Sequence, residues 1–232
     1  MKKYKNVSKL HLILISLLCF LIISCLIKII DRDNLDKNDE VVFQSKYRDK
    51  IILDVTQKIQ ENDYYCSPAS VQMALNYYGI EVSQDVLAKE MNTEYPTGTD
   101  YKDMTKVLNN YLYNTFSYDP KGDGYHIHSI EGKYDYEKEK ELFRKRILKD
   151  ISSNKIVFLN VRIQALYDGY HDVSHSVILV GYKFDKENNQ IFYYIMDPYG
   201  KVQDDIYEGL KIISEEEIMR SIITNLEPAY IW

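Results

Sequence analysis

Two β-rich runs late in the chain constrain the fold most, because they predict an antiparallel hairpin with a definite register. The runs are His175–Tyr182 and Gln190–Met196, and the polar stretch Asp185–Asn189 between them is typical of a turn. If the turn is centred on the middle of that stretch, His175 lies within about two positions of Asp197 across the ladder. Side chains so placed are about 5–8 Å apart. The sequence therefore predicts a histidine–carboxylate pair at the end of this hairpin.

Helical patterns dominate the chain before these strands. A helix is predicted to open at about Cys66, with Pro68 in its first turn, and to stop at Gly79. Apolar spacing and cap residues predict further helices that start after Ser83, after Thr99 or Asp100, at about Tyr136 and, with a capping box, at Ser214. Short strands are predicted over residues 51–55, 125–130, 156–163 and 229–232. Helices first and an antiparallel sheet second indicate an α+β fold with one core.

The first thirty residues form a separate segment. They hold five lysines and no acidic side chain, and residues 10–30 are almost wholly apolar. About 20 apolar residues span a bilayer, and lysines that precede such a span favour a cytoplasmic N-terminus. We therefore expect residues 1–9 to be a basic cytoplasmic tail and residues 10–30 to be a transmembrane anchor or signal segment. Residues 31–50 are then a charged stalk, and residues 51–232 are a domain outside the cell.

Cys25 supports a second interpretation of the same segment. The residues Ile22–Cys25 resemble a bacterial lipoprotein cleavage box, in which the cysteine receives a lipid. The apolar run continues through Ile30, which favours an uncleaved anchor instead. Both interpretations attach the domain to the membrane and place it outside.

Charge and histidine spacing argue against two classes of partner. Residues 31–232 hold 24 basic and 35 acidic side chains, a net charge of −11. Nucleic-acid binding depends on Lys and Arg that neutralise phosphates, so we expect no nucleic-acid partner. His126, His128 and His171 have no carboxylate or thiol at a recognised ligand spacing, so we expect no metal and no cofactor.

Cys66 is the only cysteine beyond the first 25 residues, so a disulfide within the domain is not expected. A free cysteine is most often a small buried hydrophobe. Cys66, however, lies before or within the first turn of a helix, where the positive end of the helix dipole favours the thiolate. A lone thiol, a distant imidazole and a carboxylate are the parts of a papain-type nucleophilic site.

Gln60, six residues before Cys66, is the candidate donor to the oxyanion of such a site. Its side-chain amide and the Cys66 backbone N–H can both donate to the negative oxygen that develops during attack. Gln57 is close enough in sequence to take the same role, so from the sequence the identity of the donor stays open.

Jointly, these motifs resemble the bacteriocin-processing peptidases, a family of papain-like cysteine peptidases that cut leader peptides after a double glycine. The residues that carry the resemblance are Gln60, Cys66-Ser-Pro-Ala69, Leu75-Asn-Tyr-Tyr-Gly79, His175, Val177, Gly181-Tyr182 and Asp197-Pro198. The resemblance implies a papain-like fold and a peptide or protein substrate. It also implies that Cys66 is the nucleophile, His175 the general base, Asp197 the orienter of the histidine and Gln60 the oxyanion donor.

Two features depart from the family's pattern. Ser67 stands where the family usually has glycine, and its side chain narrows the approach of a substrate backbone. Membrane-spanning and ATP-binding transporter domains, which some members carry in the same chain, are not recognised in this sequence. We therefore expect a membrane-anchored, outward-facing cysteine peptidase with a substrate other than an exported leader. The alternatives are a peptide-binding module that does not turn over and a transglutaminase-like acyl transferase.

Overall fold

The computed structural model describes residues 46–232, together with Leu18, Ile22 and Ile23. It divides into two units, residues 1–48 and residues 49–232. In the first unit Leu18, Ile22 and Ile23 are helical and exposed. The rest of the predicted anchor, the lipoprotein cysteine Cys25 and most of the predicted stalk lie outside the described residues. Within the part of the chain that is described, none of the helices has the length and apolar character that crossing a membrane requires.

The second unit is built from six α-helices, seven β-strands and one 3-10 turn. In chain order they are β1 (Lys50–Ile52), α1 (Cys66–Tyr77), α2 (Gln84–Glu90), α3 (Tyr101–Tyr113), β2 (Ile127–Ser129), α4 (Tyr136–Ser152), β3 (Val157–Arg162), α5 (Ile163–Leu166), β4 (Ser174–Asp185), β5 (Gln190–Met196), the 3-10 turn (Gly200–Val202), β6 (Leu210–Ser214), α6 (Glu215–Ile223) and β7 (Ala229–Ile231).

The strands form one antiparallel sheet in the order β2-β7-β3-β4-β5-β6, and β1 also pairs with β4. β3 pairs with residues 174–179 of β4 and β1 with residues 181–183. A change of register between Leu179 and Gly181 interrupts the β4–β5 ladder. A side chain at Gly181 would meet the backbone oxygen of Ile51 at 2.4 Å, so the close approach of β1 requires glycine there.

The core lies between this sheet and the helices packed on it. Val71, Ala74 and Leu75 of α1 are fully buried, and α1 contacts β4. The Phe143 ring of α4 meets the rings of Tyr193 and Tyr230 edge-on, with centroids 5.5 and 5.1 Å apart. Such aromatic contacts add specific geometry to the burial of apolar area. The helix that begins at Cys66 and the strand that carries His175 therefore share one buried interior.

Most predicted elements are present. Ser83 and Asp100 cap α2 and α3 through their side chains, and Ser214 forms a complete capping box with Glu217. The hairpin is confirmed, with β4 and β5 paired from Asp185↔Gln190 to Ile178↔Met196.

Three elements differ from the prediction. β1 ends at Ile52, not at residue 55, and β6 and the short helix α5 were not predicted. α1 begins at Cys66, in agreement with the predicted start, and Ser67 lies inside its first turn. Pro68 is compatible with this start because the amide it lacks is one of the four that a helix leaves unpaired.

Candidate active site

Three elements bring Cys66, His175 and Asp197 together. Cys66 is the first residue of α1, His175 is the second residue of β4, and Asp197 directly follows β5. The ladder between β4 and β5 ends at the pair Ile178↔Met196, which leaves Asp197 beside the start of β4. The buried hydroxyl of Ser70 in α1 donates to the carbonyl oxygen of Ser176 at 3.1 Å. This bond ties the helix of the cysteine to the strand of the histidine.

His175 and Asp197 form a buried pair. Nε2 of His175 lies 2.7 Å from Oδ1 of Asp197, and the carboxylate is fully buried. Oδ1 also accepts the Tyr199 backbone N–H at 2.8 Å, and Oδ2 accepts the Tyr167 hydroxyl at 2.8 Å. Burial raises the pKa of Asp197, but the charge of His175 and these donors outweigh it, so the pKa lies below its usual value. The carboxylate is therefore ionised and oriented.

His175 is the side chain that most lowers the pKa of the Cys66 thiol, through its hydrogen-bonding capacity and its charge. Because Nε2 is engaged by Asp197, Nδ1 is the ring nitrogen left for the sulfur. Burial raises the pKa of the Cys66 thiol, but His175 and the backbone N–H groups of Ser176 and Ser67 outweigh it and bring the pKa below its usual value. Burial lowers the pKa of His175, yet Asp197 and Cys66 raise it to about 10. Both shifts favour a thiolate–imidazolium pair, which is the nucleophilic form.

The main chain of Asp197 is held as firmly as its side chain. Its carbonyl oxygen accepts the side-chain amides of Gln57 and Gln203, at 2.8 and 2.9 Å. Its N–H donates to the carbonyl of Gly209 at 2.9 Å. A side chain at Gly209 would come within 2.2 Å of the Asp197 carbonyl oxygen, so this strand approach also needs glycine. The acid of the site is thus fixed through its backbone from three segments.

The two candidate oxyanion donors differ in what their amides do. The amide of Gln57 is committed to the main chain of Asp197. Gln60 lies beside the same segment, since its backbone N–H donates to the Pro198 carbonyl at 2.8 Å. Its Nε2 donates to the Asn62 carbonyl at 2.8 Å, which uses one of two N–H groups, and its Oε1 is buried without a partner among the described residues. The Gln57 amide likewise makes one described hydrogen bond, and its Oε1 is also buried without a partner among the described residues, so both glutamines stay candidate donors.

The other histidines of the domain lie in different surroundings. His128 on the edge strand β2 bonds to Glu139 at 2.7 Å, and His126 lies 3.7 Å from Asp119. His171 is in the segment before β4, where its carbonyl accepts the Val173 N–H at 3.0 Å. Across the described residues, no three or more His, Cys, Asp or Glu side chains are grouped as a metal site would require.

A small cleft of about 20 Å³ lies beside α1, and Cys66, His175 and Asp197 are not among its lining residues. Its lining includes Ser67, Thr99, Tyr101, Asn160, Ser176 and Tyr230. Ser67 is buried, so its hydroxymethyl group contributes to the wall of the cleft. This is where a serine in place of glycine adds bulk.

Two residues of the site were not predicted from the sequence. They are Tyr167, which donates to Asp197, and Ser70, which donates to the Ser176 carbonyl. The only available signal for Tyr167 was the number of tyrosines just before and after His175.

The comparisons with known proteins agree with this architecture. A model of the Peptidase_C39 like family matches residues 52–219. No curated protein sequence matches the chain significantly. A putative C39-like peptidase from Bacillus anthracis is 18% identical, with a TM-score of 0.50 over 79% of this chain and 97% of that one. The proform of the ragweed cysteine protease Amb a 11 is 15% identical, with a TM-score of 0.50 over 79% of this chain and 64% of that one.

A double glycine motif protease from an AMS/PCAT transporter, solved in complex with its leader peptide, is 18% identical. Its TM-score is 0.45 over 78% of this chain and 91% of that chain. At such identities a structural likeness concerns the fold alone. The predicted papain-like α+β fold with an antiparallel sheet is confirmed, and the family match agrees with the resemblance seen in the sequence.

Proposed function

The chain belongs to the Peptidase_C39 like family, and from this premise we propose that it is a cysteine peptidase that hydrolyses peptide bonds with Cys66, His175 and Asp197. The observation that carries the proposal is the buried His175–Asp197 hydrogen bond of 2.7 Å beside Cys66, whose thiol pKa His175 lowers. A thiolate activated by an oriented imidazole is the arrangement that nucleophilic catalysis at a carbonyl needs.

In the proposed reaction the Cys66 thiolate attacks the carbonyl carbon of the scissile peptide bond. The carbonyl π electrons move to oxygen, and the resulting oxyanion accepts hydrogen bonds from the Gln60 amide and the Cys66 backbone N–H. The imidazolium of His175 gives its proton to the leaving nitrogen as the C–N bond breaks. A water molecule then attacks the thioester while His175 takes its proton. The C–S bond breaks, the carboxylic acid leaves, and the Cys66 thiolate and the His175 imidazolium are restored.

We also propose that the domain acts outside the cell and is tethered to the membrane by residues 10–30. The support for this part is the apolar run with its preceding lysines. Its substrate is then a peptide or protein that reaches the outer face of the membrane. The same tether is provided by a lipid on Cys25 in the alternative form.

One observation favours a second function, a peptide-binding module that does not turn over. Ser67, the residue after Cys66, lines the small cleft, and its side chain occupies space that glycine would leave open. Such a protein keeps the cleft and the buried His–Asp pair but does not accumulate an acyl-enzyme.

The deciding experiment is cleavage of a proteome-derived peptide library by the full chain purified in detergent, with products identified by mass spectrometry. If the protein is a peptidase, a consistent set of new peptide ends should appear with the wild type and should be absent with Cys66→Ala and with His175→Ala. A set of ends that persists with Cys66→Ala would overturn the proposal. Peptides retained by the protein but left intact would support the binding module.

A further inference from the structure

The second oxygen of the Asp197 carboxylate has its own donor. Oδ1 serves His175 and the Tyr199 backbone N–H, while Oδ2 accepts the hydroxyl of Tyr167 at 2.8 Å. Tyr167 directly follows α5, on the segment that leads to β4. Because the carboxylate is fully buried, an oxygen without a donor would bear a large desolvation cost. The Tyr167 hydroxyl removes that cost.

Tyr167 belongs to a group of three tyrosines around the His175–Asp197 pair, which we call the tyrosine arc: Tyr167, Tyr170 and Tyr199. Their rings meet edge-on in series, with centroids 5.9 Å apart for Tyr167–Tyr170 and 6.0 Å for Tyr170–Tyr199. The series ends on His175, 5.9 Å from Tyr199. The Tyr170 hydroxyl donates to the Lys201 carbonyl at 2.8 Å, which fastens the arc to the segment after Asp197.

We propose that Tyr167 is a positioning residue for the reaction, because its hydroxyl keeps the Asp197 carboxylate ionised and turned so that Oδ1 meets Nε2 of His175. Tyr167 acts through Asp197. The inference rests on the proposed function, since it assigns a role within the same site.

The electrostatic surroundings support a fixed donor. Burial and the charge of Asp197 raise the pKa of Tyr167 well above its usual value, so its hydroxyl carries a proton throughout the working pH range. The charged and titratable groups around Asp197 are His175 from β4 and Tyr167 from the segment after α5. Cys66 of α1 faces His175, and Lys201 lies over the ring of Tyr199, 5.7 Å from its centre. Tyr167 is thus the described side chain that meets Oδ2.

Loss of this hydroxyl has a definite consequence for pH dependence. In Tyr167→Phe the ring remains, but Oδ2 loses its donor and the pKa of Asp197 rises. Protonation of Asp197 removes the partner of the imidazolium, so the thiolate–imidazolium pair collapses at a higher pH than in the wild type. The midpoint pH at which Cys66 loses its reactivity on acidification should therefore rise by about one pH unit, the size expected for one hydrogen bond to a carboxylate.

The test measures the rate of Cys66 alkylation by iodoacetamide against pH, in the full chain with Cys19→Ser and Cys25→Ser so that Cys66 is the only thiol. Tyr167→Phe is expected to raise the acid midpoint by about one unit. Tyr170→Phe is the matched control, since it removes a hydroxyl of the tyrosine arc that bonds to a main-chain carbonyl, and it should leave the midpoint unchanged. In a variant that already carries Asp197→Asn, Tyr167→Phe should not change the acid midpoint further.

An unchanged midpoint in Tyr167→Phe would overturn the inference, as would an equal shift in Tyr170→Phe. If Tyr167→Phe does not fold, 3-fluorotyrosine at position 167 keeps the ring and makes the hydroxyl a stronger donor, so the midpoint should move downward. No movement there also contradicts the inference. Alkylation of the wild type with the profile of free cysteine would instead refute the proposed function itself.

Discussion

Ser70 and Ser176 connect the two halves of the site by a single hydrogen bond, from the Ser70 hydroxyl to the Ser176 carbonyl oxygen at 3.1 Å. Ser70 lies one helical turn after Cys66, and Ser176 directly follows His175. The bond therefore joins the segments that carry Cys66 and His175 without involving either of those side chains.

Ser70→Ala should weaken both the fold and the thiol–imidazole contact. We expect the free energy of unfolding to fall by about 1–3 kcal/mol, because a buried carbonyl loses a donor, and Cys66 alkylation at pH 6 to slow. Ser221→Ala is the matched control, since Ser221 is equally buried and donates to the Ile218 carbonyl at 2.7 Å within α6. Ser221→Ala should cost similar stability and leave the alkylation rate unchanged. Equal slowing in both variants would argue against a link between Ser70 and the site.

The lowered pKa of Cys66 predicts fast alkylation at mildly acidic pH. The thiolate is present at every pH above the pKa of the folded state, which His175 brings below the usual value. Iodoacetamide should therefore react rapidly at pH 6 in the chain whose other cysteines are replaced by serine. His175→Ala removes both the charge and the hydrogen bond, so the reaction should then require a pH near that of free cysteine, about 8.5. A wild-type alkylation profile with its midpoint near that pH would contradict the thiolate–imidazolium pair.

Substitution of Gln60 and substitution of Gln57 should have different effects on kcat and on thermal stability. Gln60→Ala should lower kcat by roughly 10²–10³ with little change in KM, because an oxyanion donor acts on charge that exists only in the transition state. Gln57→Ala removes one of the two amides that hold the Asp197 carbonyl, so it should lower the thermal midpoint and change kcat less. Steady-state kinetics with any peptide that the library identifies decides between them, and the reverse ranking would make Gln57 the donor.

Ser67→Gly tests the departure from the family's pattern. Ser67 is buried in the wall of the cleft, so removing its side chain should bring a substrate carbonyl closer to Cys66. We expect kcat/KM to rise or to stay the same. Ser67→Ala, which removes only the hydroxyl, provides the intermediate size. A large loss of activity in Ser67→Gly would show that the serine contributes to turnover.

The proposed location can be checked on intact cells. If residues 31–232 lie outside and remain tethered, added protease should degrade the domain while a cytoplasmic marker survives. Carbonate washing should leave the domain in the membrane fraction. Protection of the domain until lysis would reverse the orientation, and a free domain after washing would exclude a stable anchor.

The sequence predicts the parts of the site that depend on local geometry. The register of a single hairpin places His175 near Asp197, because the turn between two strands determines which residues face each other. Cap residues likewise identify the starts of α2, α3 and α6. The contacts of Cys66 with His175 and of Tyr167 with Asp197 depend on how distant segments pack, and no periodicity records that packing. β6 (Leu210–Ser214) was not predicted either, and its place in the sheet depends on pairing with β5.

The scaffold around the site has a consequence for how such proteins diverge. Three of the bonds that shape it end on main-chain atoms, from Ser70 to the Ser176 carbonyl and from Gln57 and Gln203 to the Asp197 carbonyl. None of them depends on which side chain residue 66, 175 or 197 carries. A descendant of this chain can therefore lose its chemistry by one substitution and keep the shape of its cleft. Catalytic decay and structural decay are decoupled here, which leaves inactive copies free to be recruited as receptors.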